Sequence, residues 1–395
     1  MKLKYFLILL TCSLSTLHSQ DFSKVDKLAL QIPDSLTQSS QGIANYINSK
    51  FTNNKDKSRA IFIWIAKNIQ YDIDNMFAIN FYQSKSEIIN NILKNKKGIC
   101  MHYAELFNDI ANKTNIKSFV ITGYTKQNGF VGFIPHAWCG AQIDSAWFFF
   151  DPTWGSGYVE NGKFIKQVNN YYYKTKPEQL IKSHMPFDPL WQFLNSPVTH
   201  QNFYDGKTQV DNKKSSFNFT DTLKLYESQS EIERYVSESN RIEKNEVKNS
   251  LLFDRLQHIK REIEYYNNKK HTEEQNAKVK DYNSATVSYN EGINLLNAFI
   301  QYRNTQFKPK KSDEEIKNMI PPAEEKLIES KLILDGIKEP EVTILGLIKA
   351  LNKSTDDAIN NLNEQKTFLK KYFNTAKPFR KSLFYKYTWM GIPIN

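Results

Sequence analysis

Three residues of this chain combine side chain and setting in a way that suits nucleophilic chemistry: Cys100 in "GICMHYAELF", His136 in "PHAW" and Asp151 in "FDPTW". A cysteine attacks as its thiolate, and the backbone N–H groups and dipole at a helix N-terminus stabilise that anion. Cys100 follows Gly98, which lets the chain turn closely, and precedes a segment with helical spacing, so it is expected at such a terminus. The same N–H groups would suit the oxyanion of a tetrahedral intermediate. A nucleophile needs a base, and the base needs an orienting group. His136 and Asp151 are the candidates for those two roles.

The elements that must position these residues follow from periodicity. Helical spacing runs over 42–71, with Ile61, Ile65 and Ile69 on one face, and again over 86–95, opened by "SKSE". A third helix follows Cys100 and turns Ala104, Phe107, Ile110 and Ala111 to one side. Beyond residue 115 the β-branched and aromatic runs "KSFVITGYTK", "FIPHAWCGAQI" and "SAWFFFDPTW" read as strands. A turn at Ile143, Asp144 and Ser145 would pair 135–141 with 146–151. His136 and Asp151 then meet at the strand ends, at the roughly 5 Å of cross-strand neighbours.

Residues 160–216 are rich in aromatic residues and proline, lack a clear period and read as covering loops, with a polar linker at 204–216. From 217 onward Glu, Lys, Asn and Leu recur with helical spacing. Helices are expected at about 220–268, 274–305, 312–334 and 341–375, broken at 269–272, Pro309 and Pro340, with a kink or boundary at Pro321 and Pro322. The fold class is α+β, followed by an all-α region from 217 to 395.

With these pieces in view the chain resembles the transglutaminase-like superfamily, on "GICMHYAELF", "HAW" and "FFFDPTWGSG" in order, with "WIAKNIQYD" upstream similar to its opening segment. The resemblance covers roughly 60–158 and is greatest to the exported bacterial and kyphoscoliosis-peptidase-like branches. It implies a papain-like core, in which a Cys-bearing helix packs on an antiparallel sheet. It also implies a triad of Cys100 as nucleophile, His136 as base and acid, and Asp151 as orienter. An upstream aromatic that assists the oxyanion would be Tyr71. Met101 and His102 are bulkier than the residues usual after the nucleophile, and Cys139 replaces a common polar residue; both bear on substrate entry.

Other readings compete residue by residue. Cys139 lies three positions from His136, so alternation turns it to the opposite sheet face and favours burial over a disulfide with Cys100. His102, two residues from Cys100 on a helix, faces elsewhere and reads as rim or packing. Trp138, Trp147 and Trp154 read as core and pocket walls, with Trp138 and Trp154 the candidates for the substrate pocket.

The chain has 395 residues, 40% of them hydrophobic, enough for two or three packed domains. Its net charge of +11 is scattered, without a basic stripe or nucleic-acid motif, which argues against nucleic-acid recognition. Residues 1–19 read as an export signal, with Lys2 and Lys4 before the apolar run 5–10; a lipid anchor on Cys12 is the alternative. No stretch reads as a membrane span. Two cysteines remain after the signal, too few for a disulfide scaffold.

The domains are therefore expected as a signal at 1–19, a catalytic domain at 20–203, the linker, and a helical domain at 217–395. The function expected is an exported thiol enzyme acting on protein or peptide amides through a Cys100 thioester, with hydrolysis favoured over amine transfer. The alternative is a secreted binding or scaffold protein. No cofactor and no metal are called for, and the C-terminal helices are a candidate surface for a protein partner.

Overall fold

The computed structural model describes residues 21–77, 83–210, 216–387 and 393–394. The expected signal at 1–19, with Cys12, and part of the expected linker lie outside the described residues. The chain forms two compact units, one running to Ile263 and one from Glu264 to the end. The first therefore continues well past the boundary expected at 217.

In the first unit, α1 (Ser23–Ala29), α2 (Ser40–Lys50) and α3 (Asn54–Asn68) lead into β1 (Gln70–Tyr71). The helical stretch expected over 42–71 is thus two helices, because the Asn53 side chain accepts from Asp56 N and caps a new start. Ile61, Ile65 and Ile69 are buried together with Phe62, Ile63 and Trp64, so α3 is a core helix buried on all sides rather than an amphipathic one.

The helix α4 (Lys85–Asn95) starts at a reciprocal cap between Ser84 and Glu87 and ends at Lys96 in the left-handed region. There β2 (Lys97–Gly98) pairs in parallel with β1, and α5 (Cys100–Lys113) begins directly afterwards. Gly98 is required at this junction. A Cβ there would lie 2.7 Å from His102 Cβ, so any side chain would push α5 away from the strand.

The main sheet is antiparallel. It contains β3 (Ser118–Gln127), β4 (Phe130–Val131), β5 (His136–Ile143) and β6 (Ala146–Phe150) in the order β4, β3, β5, β6. Asp144 and Ser145 both have positive φ, the geometry of a two-residue hairpin turn. The hairpin strands β7 (Gly157–Glu160) and β8 (Lys163–Lys166) follow.

After α6 (Pro177–Leu180), the segment read as loops contributes a further strand, β9 (His184–Pro186), which pairs with β3 opposite Gly123, Tyr124 and Thr125. Gly123 makes this approach possible, since a Cβ at that position would sit 2.1 Å from the Met185 carbonyl oxygen.

One sheet face packs on α5 and α3 through Ala137, Cys139 and Phe150, with Ala104, Phe107, Ile110 and Ala111 fully buried as their spacing predicts. The other face carries Ile121, Trp138 and Phe149 against Leu180, Leu190 and Phe193. After α7 (His200–Tyr204), the helices α8 (Phe219–Ser228) and α9 (Glu231–Lys244) and the start of α10 (Ser250–Asn304) close this side. Arg241 holds Asp188 with two bonds of 2.8 and 2.7 Å.

The helical region departs from expectation in detail. No break occurs at 269–272, where α10 runs through a polar segment that contains neither Gly nor Pro. The breaks lie instead ahead of α9 at Ser230, which pairs with Glu233 in a cap, and at residues 245–249, where Glu246 has positive φ.

The second unit contains the rest of α10 with α11 (Asp313–Lys317), α12 (Pro321–Gly336) and α13 (Val342–Asn374), around Leu296, Phe299, Leu327, Leu362 and Leu369. Pro321 opens α12 at its first position, so the double proline is a boundary and not a kink. Among the described residues no helix is long and apolar enough to cross a membrane.

Candidate active site

Cys100 is the first residue of α5 and is partly exposed. Parallel pairing of β1 with β2 sets Tyr71 opposite Gly98, so the phenol is carried to the same junction. His102 turns back to the helix start, where its Nδ1 accepts from Ile99 N at 3.4 Å, and burial pushes its pKa down. It packs against the start of α5 beside Cys100.

His136 opens β5, and Asp151 stands one residue past the end of β6. Register places Cys139 opposite Phe150, so Asp151 lies one step on, across from Trp138 rather than His136. The contact is therefore diagonal. His136 Nε2 meets Asp151 Oδ2 at 2.8 Å, and the carboxylate is fully buried. Its other oxygen, Oδ1, accepts from Thr153 N at 2.9 Å and Trp154 N at 3.0 Å, which is why the "DPTW" turn follows the aspartate directly.

Burial opposes a charge on His136, but the Asp151 carboxylate and the nearby Cys100 outweigh it and raise the imidazole pKa to about 10. Burial likewise opposes ionisation of Asp151, and His136 and His184 outweigh it, holding the carboxyl well below its ordinary range. The bond to Asp151 engages Nε2 of the His136 ring.

A second imidazole was not foreseen from sequence. His184, on β9, places Nε2 3.1 Å from the same Asp151 Oδ2 and its Nδ1 2.8 Å from Ser183 Oγ. It is fully buried, and that burial lowers its pKa, so it stays neutral and donates from Nε2. Asp151 thus receives four donors, two imidazoles and two backbone amides, which fills both oxygens. His136, Asp151 and His184 also bring one possible metal-ligand atom each within 4.8 Å of one another. The hydrogen bonds already use all three atoms.

Trp154 packs on both imidazoles, with ring centroids 5.3 Å from His136 and 4.6 Å from His184, and lines the clefts described below. Trp138 is fully buried beneath the imidazoles, with centroids 6.0 and 5.1 Å away, and forms no part of a cleft wall. Trp147 stacks on Phe193 in the sheet core. Cys139 is buried on the α5 side of the sheet, its Sγ donating to Ala104 O, and both it and Cys100 are free thiols.

Two clefts meet at these residues. One, of about 410 Å³, is lined by Cys100, His136, Tyr71 and Trp154 together with the 130–135 segment. The other, of about 910 Å³, shares Tyr71, His136 and Trp154, and its lining includes polar Lys126, Asn128, Gln167 and Asn169 beside apolar Phe164 and Val168. Burial, followed by the nearby Cys100 and Asp151, pushes the Tyr71 phenol up, so it remains a protonated donor.

Residues 41–152 match the core domain of the transglutaminase-like superfamily. Human kyphoscoliosis peptidase is 30% identical over 196 residues, which is 48% of this chain and 29% of that protein. Cytokinesis protein 3 of Schizosaccharomyces pombe is 23% identical over 191 residues, 46% of this chain and 21% of that protein. The chain thus spans less than a third of the length of these relatives. Among solved structures, the periplasmic domain of TgpA from Pseudomonas aeruginosa is 19% identical with a TM-score of 0.25, covering 33% of this chain and 47% of that one. The match to the transglutaminase-like superfamily thus lies on residues 41–152, the segment that carries α3, α5, Cys100, His136 and Asp151.

Proposed function

We propose that this protein is an exported thiol acyl-transfer enzyme that acts on protein or peptide amides through a thioester on Cys100. The observation that carries the reading is the buried His136 and Asp151 pair, 2.8 Å apart, whose imidazole lines the same cleft as the Cys100 thiol at the start of α5. With its pKa raised, His136 already carries the proton at neutral pH, and Cys100 Sγ attacks the amide carbonyl carbon as the thiolate paired with that imidazolium. The oxyanion is stabilised by the α5 N-terminus and the Tyr71 hydroxyl. Collapse breaks the C–N bond, and the departing amine takes the proton from His136. The thioester is then resolved by water, giving an acid, or by a primary amine, giving a new amide; His136, having given its proton to the first amine, accepts the proton of either, and Cys100 leaves as the thiolate, restoring the starting pair.

Hydrolysis is favoured because the relative of highest identity named above is called a peptidase and because the chain lacks recognisable calcium-loop spacing. Export is supported by the charge order of 1–19. Incubation of the full chain with a peptide library, with and without a primary amine, followed by weighing of the products tests this. Cleavage of an amide without added amine is the expected result. Amine incorporation with ammonia release would turn the reading to amine transfer, and unchanged peptides would overturn it.

A further inference from the structure

The two clefts differ in chemistry, and the difference is placed around the reacting groups. The smaller one holds both Cys100 and His136, and its outer wall is β4 with the segment that joins it to β5. Phe130 is 80% exposed there, Phe133 91% and Ile134 40%, with Val131 and Pro135 beside them. Large apolar side chains in water forgo the gain of burial, and a cluster of them on one short segment marks a place where something apolar docks. What docks is indicated by position: the same cleft contains the nucleophile, so its occupant is the part of the substrate that Cys100 holds. The volume of about 410 Å³ has room for one large side chain together with its backbone.

The larger cleft shares His136 but lacks Cys100, and its lining adds the polar Lys126, Asn128, Gln167 and Asn169 to the apolar Phe164 and Val168. In acyl transfer the thiol keeps the acyl group, whereas the imidazole hands its proton to the amine that leaves. We infer that the cleft beside Cys100 is a subsite for a bulky apolar residue on the acyl side of the scissile amide, and that the larger cleft receives a polar amine side. This assignment rests on the acyl-transfer reading and adds the substrate class to it.

Binding tests the subsite without requiring turnover. The full chain carrying Cys100→Ala is titrated, by its tryptophan fluorescence, with blocked peptides that differ at one position only, phenylalanine against serine. The phenylalanine peptide is expected to bind at least tenfold more tightly, and the double change Phe130→Ser with Phe133→Ser is expected to erase that difference. Equal affinities for the two peptides, or a preference that survives the double change, would overturn the subsite.

Turnover then assigns the side. Peptides converted by the unaltered chain should carry the bulky apolar residue on the acyl fragment, and its recurrence on the amine fragment would overturn the assignment. If no peptide is converted at all, the acyl-transfer reading and the acyl-side assignment fall together, while the affinity comparison still decides whether an apolar subsite exists.

Discussion

In the unit that ends at Ile263, Asp151 is fully buried with two imidazoles and two amides on its carboxylate, Arg241 grips buried Asp188, and buried Arg59 grips Asp26. In the unit from Glu264, ion pairs such as Lys366 with Glu324 and Lys326 with Glu329 lie on helix surfaces, and no charged side chain among its described residues is buried. Exposed pairs contribute about 0–1 kcal/mol each. A buried charge costs several kcal/mol unless every lone pair or proton is satisfied. The first unit thus spends stability on holding a few groups in fixed positions. The second is held together by Leu296, Phe299, Leu327 and their neighbours, with its charge left in water.

That contrast breaks most sharply at Asp151. Asp151→Asn keeps the shape but offers His136 an amide in place of a carboxylate, and turnover is expected to fall on the order of 10⁴-fold, about 5 kcal/mol in the barrier. The same pair sets a pH dependence of stability. His136, with its pKa raised to about 10, contributes fully below the ordinary value near 6.5 and loses that contribution as pH climbs through 10. Asp151, held low, contributes above its ordinary value and loses this as pH falls. Urea unfolding should therefore show the largest advantage of the unaltered chain over Asp151→Asn near pH 5 to 6.5, shrinking toward pH 10.

On the other side of the comparison, Phe299→Ala removes a fully buried ring and should destabilise residues 264–395 by about 3–5 kcal/mol. Hydrogen exchange in that unit should accelerate while the alkylation rate of Cys100 is unchanged. A changed Cys100 rate would show that the two units do not divide the labour as argued.

The smallest expected effect sharpens the first unit's logic. His184→Phe removes one donor from Asp151 and should lower kcat/KM about 10- to 100-fold, about 1.4–2.7 kcal/mol, chiefly through kcat. His184→Gln, which keeps an N–H donor, should restore most of it. A loss of thermal stability with unchanged kcat would make His184 a packing residue only.

What was legible in the sequence is what local rules control. The turn at Asp144 and Ser145, the cap at Ser84 and the strand alternation that separates Cys139 from His136 each follow from a few neighbouring residues. They suffice to bring His136 near Asp151, although the register makes the contact diagonal. His184 was not legible, because β9 has three residues and no period, and its meeting with Asp151 depends on Gly123 admitting β9 to the edge of β3. The burial of Trp138 depends likewise on Leu180, Leu190 and Phe193 arriving from an aperiodic stretch. The polar run near 270 suggested a break, but polarity does not end a helix; Gly, Pro or a competing cap does.

The central claim, that Cys100 is activated by His136, is tested most directly by the rate of Cys100 alkylation with iodoacetamide between pH 5 and 9, in the unaltered chain and in His136→Ala. The account predicts reaction near pH 6 at least tenfold faster than a free cysteine, and a return to free-cysteine behaviour in His136→Ala. A Cys100 that reacts no faster than free cysteine, or equally fast in both proteins, would contradict it.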